Sequence, residues 1–137
     1  MQLNLLSALA LPTAGEHRSR RALAVILASG PEDCGKRATL AFAAASTAQA
    51  MDMDTIVFLL GDGAHWAYAE NADQVHVAGF PALTGLVDLF IESGGQVLLC
   101  SACDGSCAVP STRRGDVRVA GFASLLSHTV GGIAMTF

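Results

Sequence analysis

The sequence predicts a single-domain α/β protein in which a mostly parallel sheet is covered by helices on both faces. The chain has 137 residues, which is the size of one domain with a core of its own. Short, unbroken apolar runs, typical of strands buried on both faces, alternate with segments of helical period. This alternation favours a parallel sheet with right-handed crossovers. The composition is 52% hydrophobic and 15% charged, so we also expect a large subunit interface.

The predicted domain covers residues 21–137 and follows an N-terminal tail at 1–20. We expect this tail to be flexible or to lie at a subunit contact. Strands are predicted at 22–29, 55–60, 96–100, 117–120 and 132–137, with a further short strand at 74–78. Helices are predicted at 37–51, 64–70, 81–93 and 123–129. The third of these helices opens on Pro81, a residue favoured in the first turn.

Composition and charge exclude several classes of protein. The net charge is -4 and no segment is dominated by lysine or arginine, which argues against a nucleic-acid-binding protein. No apolar stretch reaches the roughly 18 residues that a membrane-spanning helix needs. The first residues lack the basic segment that opens a secretory signal, so we expect a cytoplasmic protein in a reducing compartment. The cysteines are therefore interpreted as thiols or metal ligands before structural disulfides.

The cysteines cluster where a parallel sheet is expected to carry its functional groups, at the carboxyl ends of its strands. Three loops follow such ends, at 30–36, 61–66 and 101–114. The first and third loops, with the strand end that leads into the third, contain all the cysteines: Cys34, Cys100, Cys103 and Cys107. We therefore expect Cys34 to approach the Cys100 loop in the fold.

The cluster CSACDGSC at 100–107 is compatible with four interpretations. The first is a thiol that accepts and donates sulfane sulfur as a persulfide. The second is a dithiol redox pair at Cys100 and Cys103, which have the C-x-x-C spacing. The third is a metal or iron–sulfur site in which Cys107 and Cys34 join that pair, although the spacing is not a complete zinc pattern. The fourth is simple packing of cysteines as small apolar residues.

Charged residues near the cluster affect the reactivity expected of its thiols. A strand-to-helix junction suits a reactive thiol, because unpaired backbone N–H groups stabilise a thiolate. Asp104 opposes this effect, since a nearby carboxylate disfavours the thiolate. Lys36 and Arg37 supply the compensating charge if the first loop folds over the cluster.

The second loop adds three candidate residues. Asp62 either caps a helix or shapes the site loop. His65 is a candidate proton donor, or a residue that orients a thiol, because its unperturbed pKa lies near neutrality. Trp66 is expected to pack at a subunit contact.

Several segments, in their order and spacing, resemble the DsrE/DsrF-like proteins over about residues 21–137. The matching segments are SGPED at 29–33, DTIVFLLGDG at 54–63, GFPALTGLVDLFIESGG at 79–95, VLLCSAC at 97–103 and VAGF at 119–122. The resemblance implies a three-layer α/β/α fold, and we expect a mostly parallel five-stranded sheet. It also implies an oligomer, here a homotrimer or homohexamer.

The resemblance further implies a sulfur relay in which a cysteine persulfide passes between donor and acceptor proteins without an organic cofactor. The relay cysteine of the family stands at the strand end, which is Cys100 here, and Cys103 matches a second cysteine of the smaller members. The chain departs from its relatives at Cys107 and Ala108, where they often have a basic residue and a glycine. A metal-binding or redox-sensing thiol module on the same fold, without transferase activity, is the alternative.

Overall fold

Five parallel strands form one sheet in the computed structural model, which describes residues 20–104 and 112–137. The strands are β1 (Ala22–Leu27), β2 (Asp54–Leu59), β3 (Gln96–Cys100), β4 (Val117–Ala120) and β5 (Ile133–Thr136). Their order across the sheet is β4-β3-β2-β1-β5, and every neighbouring pair is parallel. The predicted five-stranded sheet is confirmed.

Helices cover both faces of the sheet. They are α1 (Lys36–Ala50), α2 (Leu83–Glu92) and α3 (Phe122–Thr129). Leu23, Val25 and Leu27 point to the face of α1 and α2, whereas Ala24 belongs to the cluster that Leu125 of α3 covers. This alternation follows from the two-residue repeat of a strand. The three-layer architecture is therefore confirmed.

The order of the strands explains why α3 lies on the opposite face of the sheet from α1 and α2. The chain moves from β1 through β2 and β3 to β4, and then returns across the whole sheet to place β5 beside β1. Right-handed crossovers in one direction place their helices on one face, and a right-handed crossover in the reverse direction places its helix on the other. The carboxyl ends of all five strands consequently lie at one edge, where the loops after β1, β2 and β3 meet.

Small side chains let α1 approach the sheet closely. Ala38, Ala41, Ala45 and Ala48 are buried on one face of the helix, at the spacing expected of a core-facing stripe. Helix α2 packs beside α1, and the rings of Phe42 and Phe90 meet edge to face with centroids 6.1 Å apart. The packing fixes the two helices, and with them the loops that reach the carboxyl edge.

Three predicted elements are corrected. Residues 74–78 form no strand. Val75 donates its N–H to the carbonyl of Ala72 in a turn, and its own carbonyl accepts the N–H of Leu83 at the start of α2, so both backbone groups are used outside the sheet. Pro81 does not open α2, which begins at Leu83 after the N-cap residue Ala82. The helix predicted at 64–70 is a 3-10 helix at Gly61–Ala67. The other boundaries agree with the prediction to within two residues.

Large apolar side chains remain exposed on α3 and β5. Phe122, Leu126 and Val130 are 56%, 64% and 81% exposed, and Ile133 and Met135 of the edge strand are about half exposed. A further apolar pocket of about 330 Å³ lies between α1 and β5, with Met51 and Met53 in its wall. In the part of the chain that the structure describes, no helix is long and apolar enough to cross a membrane.

Candidate functional site

The three loops predicted to form the site do meet at the carboxyl edge of the sheet. The indole Nε1–H of Trp66 donates to the carbonyl of Ser29 at 2.9 Å, which ties the loop after β2 to the end of β1. The backbone N–H of Gly61 donates to Sγ of Cys103 at 3.2 Å, which ties the same loop to the turn after β3. The structure therefore joins these loops by direct hydrogen bonds.

Cys100 and Cys103 lie at the two ends of a single turn. The N–H groups of Cys103 and Asp104 donate to the carbonyl of Cys100 at 2.9 and 3.1 Å. A turn of this kind holds its first and fourth Cα atoms within roughly 7 Å, which overlaps the separation that a disulfide requires. The Cα atoms of Cys100 and Cys103 therefore lie at a separation that is compatible with a disulfide.

The two thiols differ in exposure. Cys100 is the last residue of β3 and is 2% exposed, because its side chain packs with Phe58 and Leu98 under α3. Cys103 is partly exposed and contacts both apolar clusters of the core. Cys103 is therefore the more accessible of these two thiols.

The turn Gly61-Asp62-Gly63 places the hydrogen-bond donor beside Cys103. Gly61 adopts the left-handed conformation, with φ of 55°. At Gly63 a Cβ would overlap the carbonyl of Leu27, so the turn lies directly on the end of β1 only because this residue has no side chain. The N–H of Gly61 therefore reaches Sγ of Cys103 from a turn whose shape depends on these two glycines.

The positive charge that pairs with Asp104 belongs to Arg113, a residue that the sequence interpretation missed. Nη1 of Arg113 lies 3.3 Å from both carboxylate oxygens of Asp104. Arg37 instead lies 3.8 Å from the carboxylate of Asp33 on its own turn, and Lys36 is exposed. An ion pair between a turn and a segment nine residues later carries no periodic signal, which is why the sequence did not reveal it.

The start of α1 is occupied by a carboxylate of the chain itself. Oδ1 of Asp33 accepts the N–H groups of Gly35 and Lys36, and Oδ2 accepts that of Arg37, at 2.9 to 3.1 Å. Cys34 lies in the same turn, exposed and left-handed with φ of 61°. The first N–H groups of α1 are therefore already bound to Asp33.

His65 is partly buried, and its ring meets Trp66 edge to face with centroids 4.7 Å apart. Burial lowers the pKa of His65 below its ordinary 6.5, and the carboxylate of Glu32 partly offsets this effect. The side chain is therefore largely neutral at pH 7. Its role toward a thiol stays a prediction.

Two expectations for the second loop need revision. Trp66 is 3% exposed and packs inside its own chain, so the subunit contact predicted for it is wrong. The 3-10 helix at Gly61–Ala67 has no side-chain cap, so Asp62 does not cap it. Asp62 is exposed at the turn, where its backbone carbonyl faces Gly30.

The predicted metal alternative required Cys34, Cys100, Cys103 and Cys107. Within residues 20–104 and 112–137, no three or more histidine, cysteine, aspartate and glutamate side chains form a group able to hold a metal ion. Cys34, Cys100 and Cys103 are thiols, and Cys107 lies outside the described residues.

Comparison with known proteins agrees with this fold. The crystal structure of the ychN protein from E. coli superimposes with a TM-score of 0.65, covering 85% of this chain and 99% of that one. The sequences are 15% identical, so this similarity concerns the fold alone. No curated protein matches the chain. The model of the DsrE/DsrF-like family matches residues 21–128, which is most of the chain and includes the Cys100–Cys103 turn. The chain therefore belongs to the DsrE/DsrF-like family.

Proposed function

We propose that this protein is a sulfur carrier that passes sulfane sulfur as a cysteine persulfide on Cys100. Membership of the DsrE/DsrF-like family suggests a sulfur-relay role in general. The observation that supports the finer proposal is the turn at the carboxyl edge that joins Cys100 to Cys103, whose sulfur accepts the Gly61 N–H. Sulfur exchange needs an accessible thiol and a second thiol nearby, and this turn places the partly exposed Cys103 three residues after Cys100.

The exposure of the two thiols supports an order of transfer. The Cys103 thiolate attacks the outer sulfur of a donor persulfide, the donor S–S bond breaks, and the donor leaves as a thiolate. The Cys100 thiolate then attacks the outer sulfur on Cys103, which restores the Cys103 thiolate and leaves the sulfur on Cys100. The apolar surroundings of Cys100 protect that sulfur from water. Delivery to an acceptor thiolate follows the same steps in reverse.

One side reaction competes with delivery. If the Cys103 thiolate attacks the inner sulfur of the Cys100 persulfide, a Cys100–Cys103 disulfide forms and hydrosulfide leaves. The turn geometry allows this disulfide, so a reversible dithiol redox module is the second candidate function. The two functions differ in product, because a carrier gains mass on loading whereas a redox module only loses two hydrogens.

The test is to incubate the reduced protein with a low-molecular-weight persulfide and to record its intact mass. Wild type and Cys107→Ser, the matched control, should each gain one sulfur of about 32 Da. Cys100→Ser should lose stable loading, and Cys103→Ser should load more slowly but hold the sulfur for longer. If Cys100→Ser retains sulfur as wild type does, Cys100 is not the carrier. A disulfide without added sulfur in the wild type would favour the redox module.

Partners and compartment form part of the same proposal. Members of the family work in sulfur-relay complexes, so the proposed donor and acceptor are proteins. A homotrimer or homohexamer is supported by the exposed apolar side chains of α3 and β5. A cytoplasmic location suits a carrier whose thiols must stay reduced between transfers.

A further inference from the structure

The ion pair between Arg113 and Asp104 lies next to the partner-facing thiol. Asp104 directly follows Cys103, and its N–H is bonded to the carbonyl of Cys100. Nη1 of Arg113 lies 3.3 Å from both oxygens of the Asp104 carboxylate. The side chains are 40% and 39% exposed. Exposed pairs of this kind are usually weak, because two long side chains must be ordered to form them.

The backbone of Arg113 is held in place, which reduces that ordering cost. Tyr68 and Arg113 form an antiparallel bridge. The N–H of Ala69 donates to the carbonyl of Thr112 at 3.1 Å, and the N–H of Arg114 donates to Ala67 at 2.8 Å. These contacts attach the segment to the end of the 3-10 helix whose first residue, Gly61, binds the sulfur of Cys103.

Arg114 strengthens this attachment from the other side. Its guanidinium is 14% exposed, and it lies 2.7 Å from the carboxylate of Asp88 on α2 and 3.0 Å from that of Asp116. These hydrogen bonds raise the pKa of Arg114 and lower that of Asp116, so both groups stay charged at neutral pH. Arg113 therefore extends from a segment fixed to both the 3-10 helix and α2.

We propose that Arg113 is a positioning residue for the Cys103 thiolate. A carboxylate beside a thiol disfavours ionisation of the thiol and repels an incoming anionic persulfide. By pairing with Asp104, Arg113 cancels that charge and holds the carboxylate to one side of the turn. This role of Arg113 rests on the proposed function, because the proposed sulfur relay is what requires a reactive Cys103 thiol. The effect on the thiol itself is measurable without any sulfur transfer.

The experiment measures the alkylation rate of Cys103 by iodoacetamide in the full-length chain, followed by peptide mass at neutral pH and low ionic strength. Arg113→Gln should slow the reaction about two- to fivefold, since it leaves the Asp104 charge uncancelled. Arg113→Lys, which keeps the charge, should retain most of the wild-type rate. Arg118→Gln removes an exposed arginine of β4 and is the matched control, with no expected change.

The double variant separates charge from structure. Asp104→Asn should react at least as fast as wild type, and Asp104→Asn with Arg113→Gln should recover this rate, because no carboxylate remains to be cancelled. Added salt should shrink the defect of Arg113→Gln. A double variant as slow as Arg113→Gln would overturn the proposal, because it would assign a purely structural role to the arginine. A wild-type rate in Arg113→Gln would overturn it as well.

Failure of the proposed function has a different signature. If the wild type takes up no sulfur while Asp104→Asn still restores the alkylation rate of Arg113→Gln, the relay is wrong. The positioning role of Arg113 toward the thiol then stands.

Discussion

His65 connects the candidate site to the stability of the fold. It lies in the 3-10 helix at Gly61–Ala67, against Trp66, and Asn71 donates its side-chain amide to the His65 carbonyl at 2.6 Å. Burial lowers its pKa, so the folded state binds the His65 proton less readily than the unfolded state does. The stability that depends on neutral His65 is present above the unfolded pKa of 6.5 and is lost as the pH falls toward the lower folded pKa.

We expect His65→Gln to flatten this pH dependence. The change removes the titrating ring, so less free energy of unfolding should be lost between about pH 7.5 and about pH 5.5. Urea unfolding at the two pH values measures it. His76→Gln, which changes an exposed histidine bonded to the Phe80 carbonyl, is the control. An equal loss of stability in wild type and His65→Gln would show that His65 does not couple pH to folding.

The residues of the site differ in how visible they were in the sequence. Cys100 and Cys103 were visible because an apolar strand ends in cysteine and the carboxyl edge of a parallel sheet carries its chemistry. Arg113 was not visible in the sequence, since its ion pair with Asp104 depends on how two separate segments fold back on each other. Trp66 was expected at a subunit contact, and its actual partner, the carbonyl of Ser29, leaves no trace in a sequence pattern.

Among the elements, the strands were predicted most accurately. Unbroken apolar runs closed by glycine or proline mark strands buried on both faces, and each named strand lies within two residues of its predicted span. The error at 74–78 has a physical cause. Alternating apolar residues there match the period of a strand, but the backbone forms turns that pack Val75 against Gly35 at the start of α1. The alternation of apolar residues does not reveal whether the backbone groups of residues 74–78 bond to a neighbouring strand or within turns.

The turn after β2 sets the position of the Cys103 donor, and Gly63→Ala tests this. The added Cβ would overlap the carbonyl of Leu27, which belongs to β1, a strand paired on both sides, and cannot move cheaply. We expect a loss of about 2 kcal/mol or more in the free energy of unfolding. The alkylation rate of Cys103 should change as well, because Gly61 in the same turn would shift.

Gly85→Ala is the matched control for that change. Gly85 lies within α2, and a Cβ there would meet no atom within 4 Å. We expect a gain of about 0.5–1 kcal/mol from helix propensity, with no change at Cys103. Urea unfolding and peptide mass measure both quantities. Wild-type stability in Gly63→Ala would mean that the turn does not need its close approach to β1.

At the scale of the whole molecule, the two faces of the sheet are unequally covered. Among residues 20–104 and 112–137, two helices cover one face and α3 is the one helix on the other, and β5 pairs with β1 at the edge of the sheet. Phe122 and Leu126 of α3, and Val130 directly after the helix, are spaced four residues apart and are more than half exposed, although the ring of Phe122 also lies 6.0 Å from that of Phe58. Apolar patches of this kind mark interaction surfaces, and a second copy of the chain is the occupant that the proposed oligomer supplies.

The last prediction is that α3 contributes to a homotrimer or homohexamer. Light scattering should give about 42 kDa or about 85 kDa for the wild type, whose chain has a mass of 14.1 kDa. Leu126→Glu places a charge in the α3 patch and should shift the protein toward the monomer, because burying an unpaired carboxylate is costly. Leu89→Glu is the matched control, since Leu89 is 54% exposed on α2, on the opposite face. A wild type that stays monomeric at micromolar concentration would contradict the oligomer. An oligomer unaffected by Leu126→Glu would instead place the interface elsewhere, with the pocket between α1 and β5 as the next surface to test.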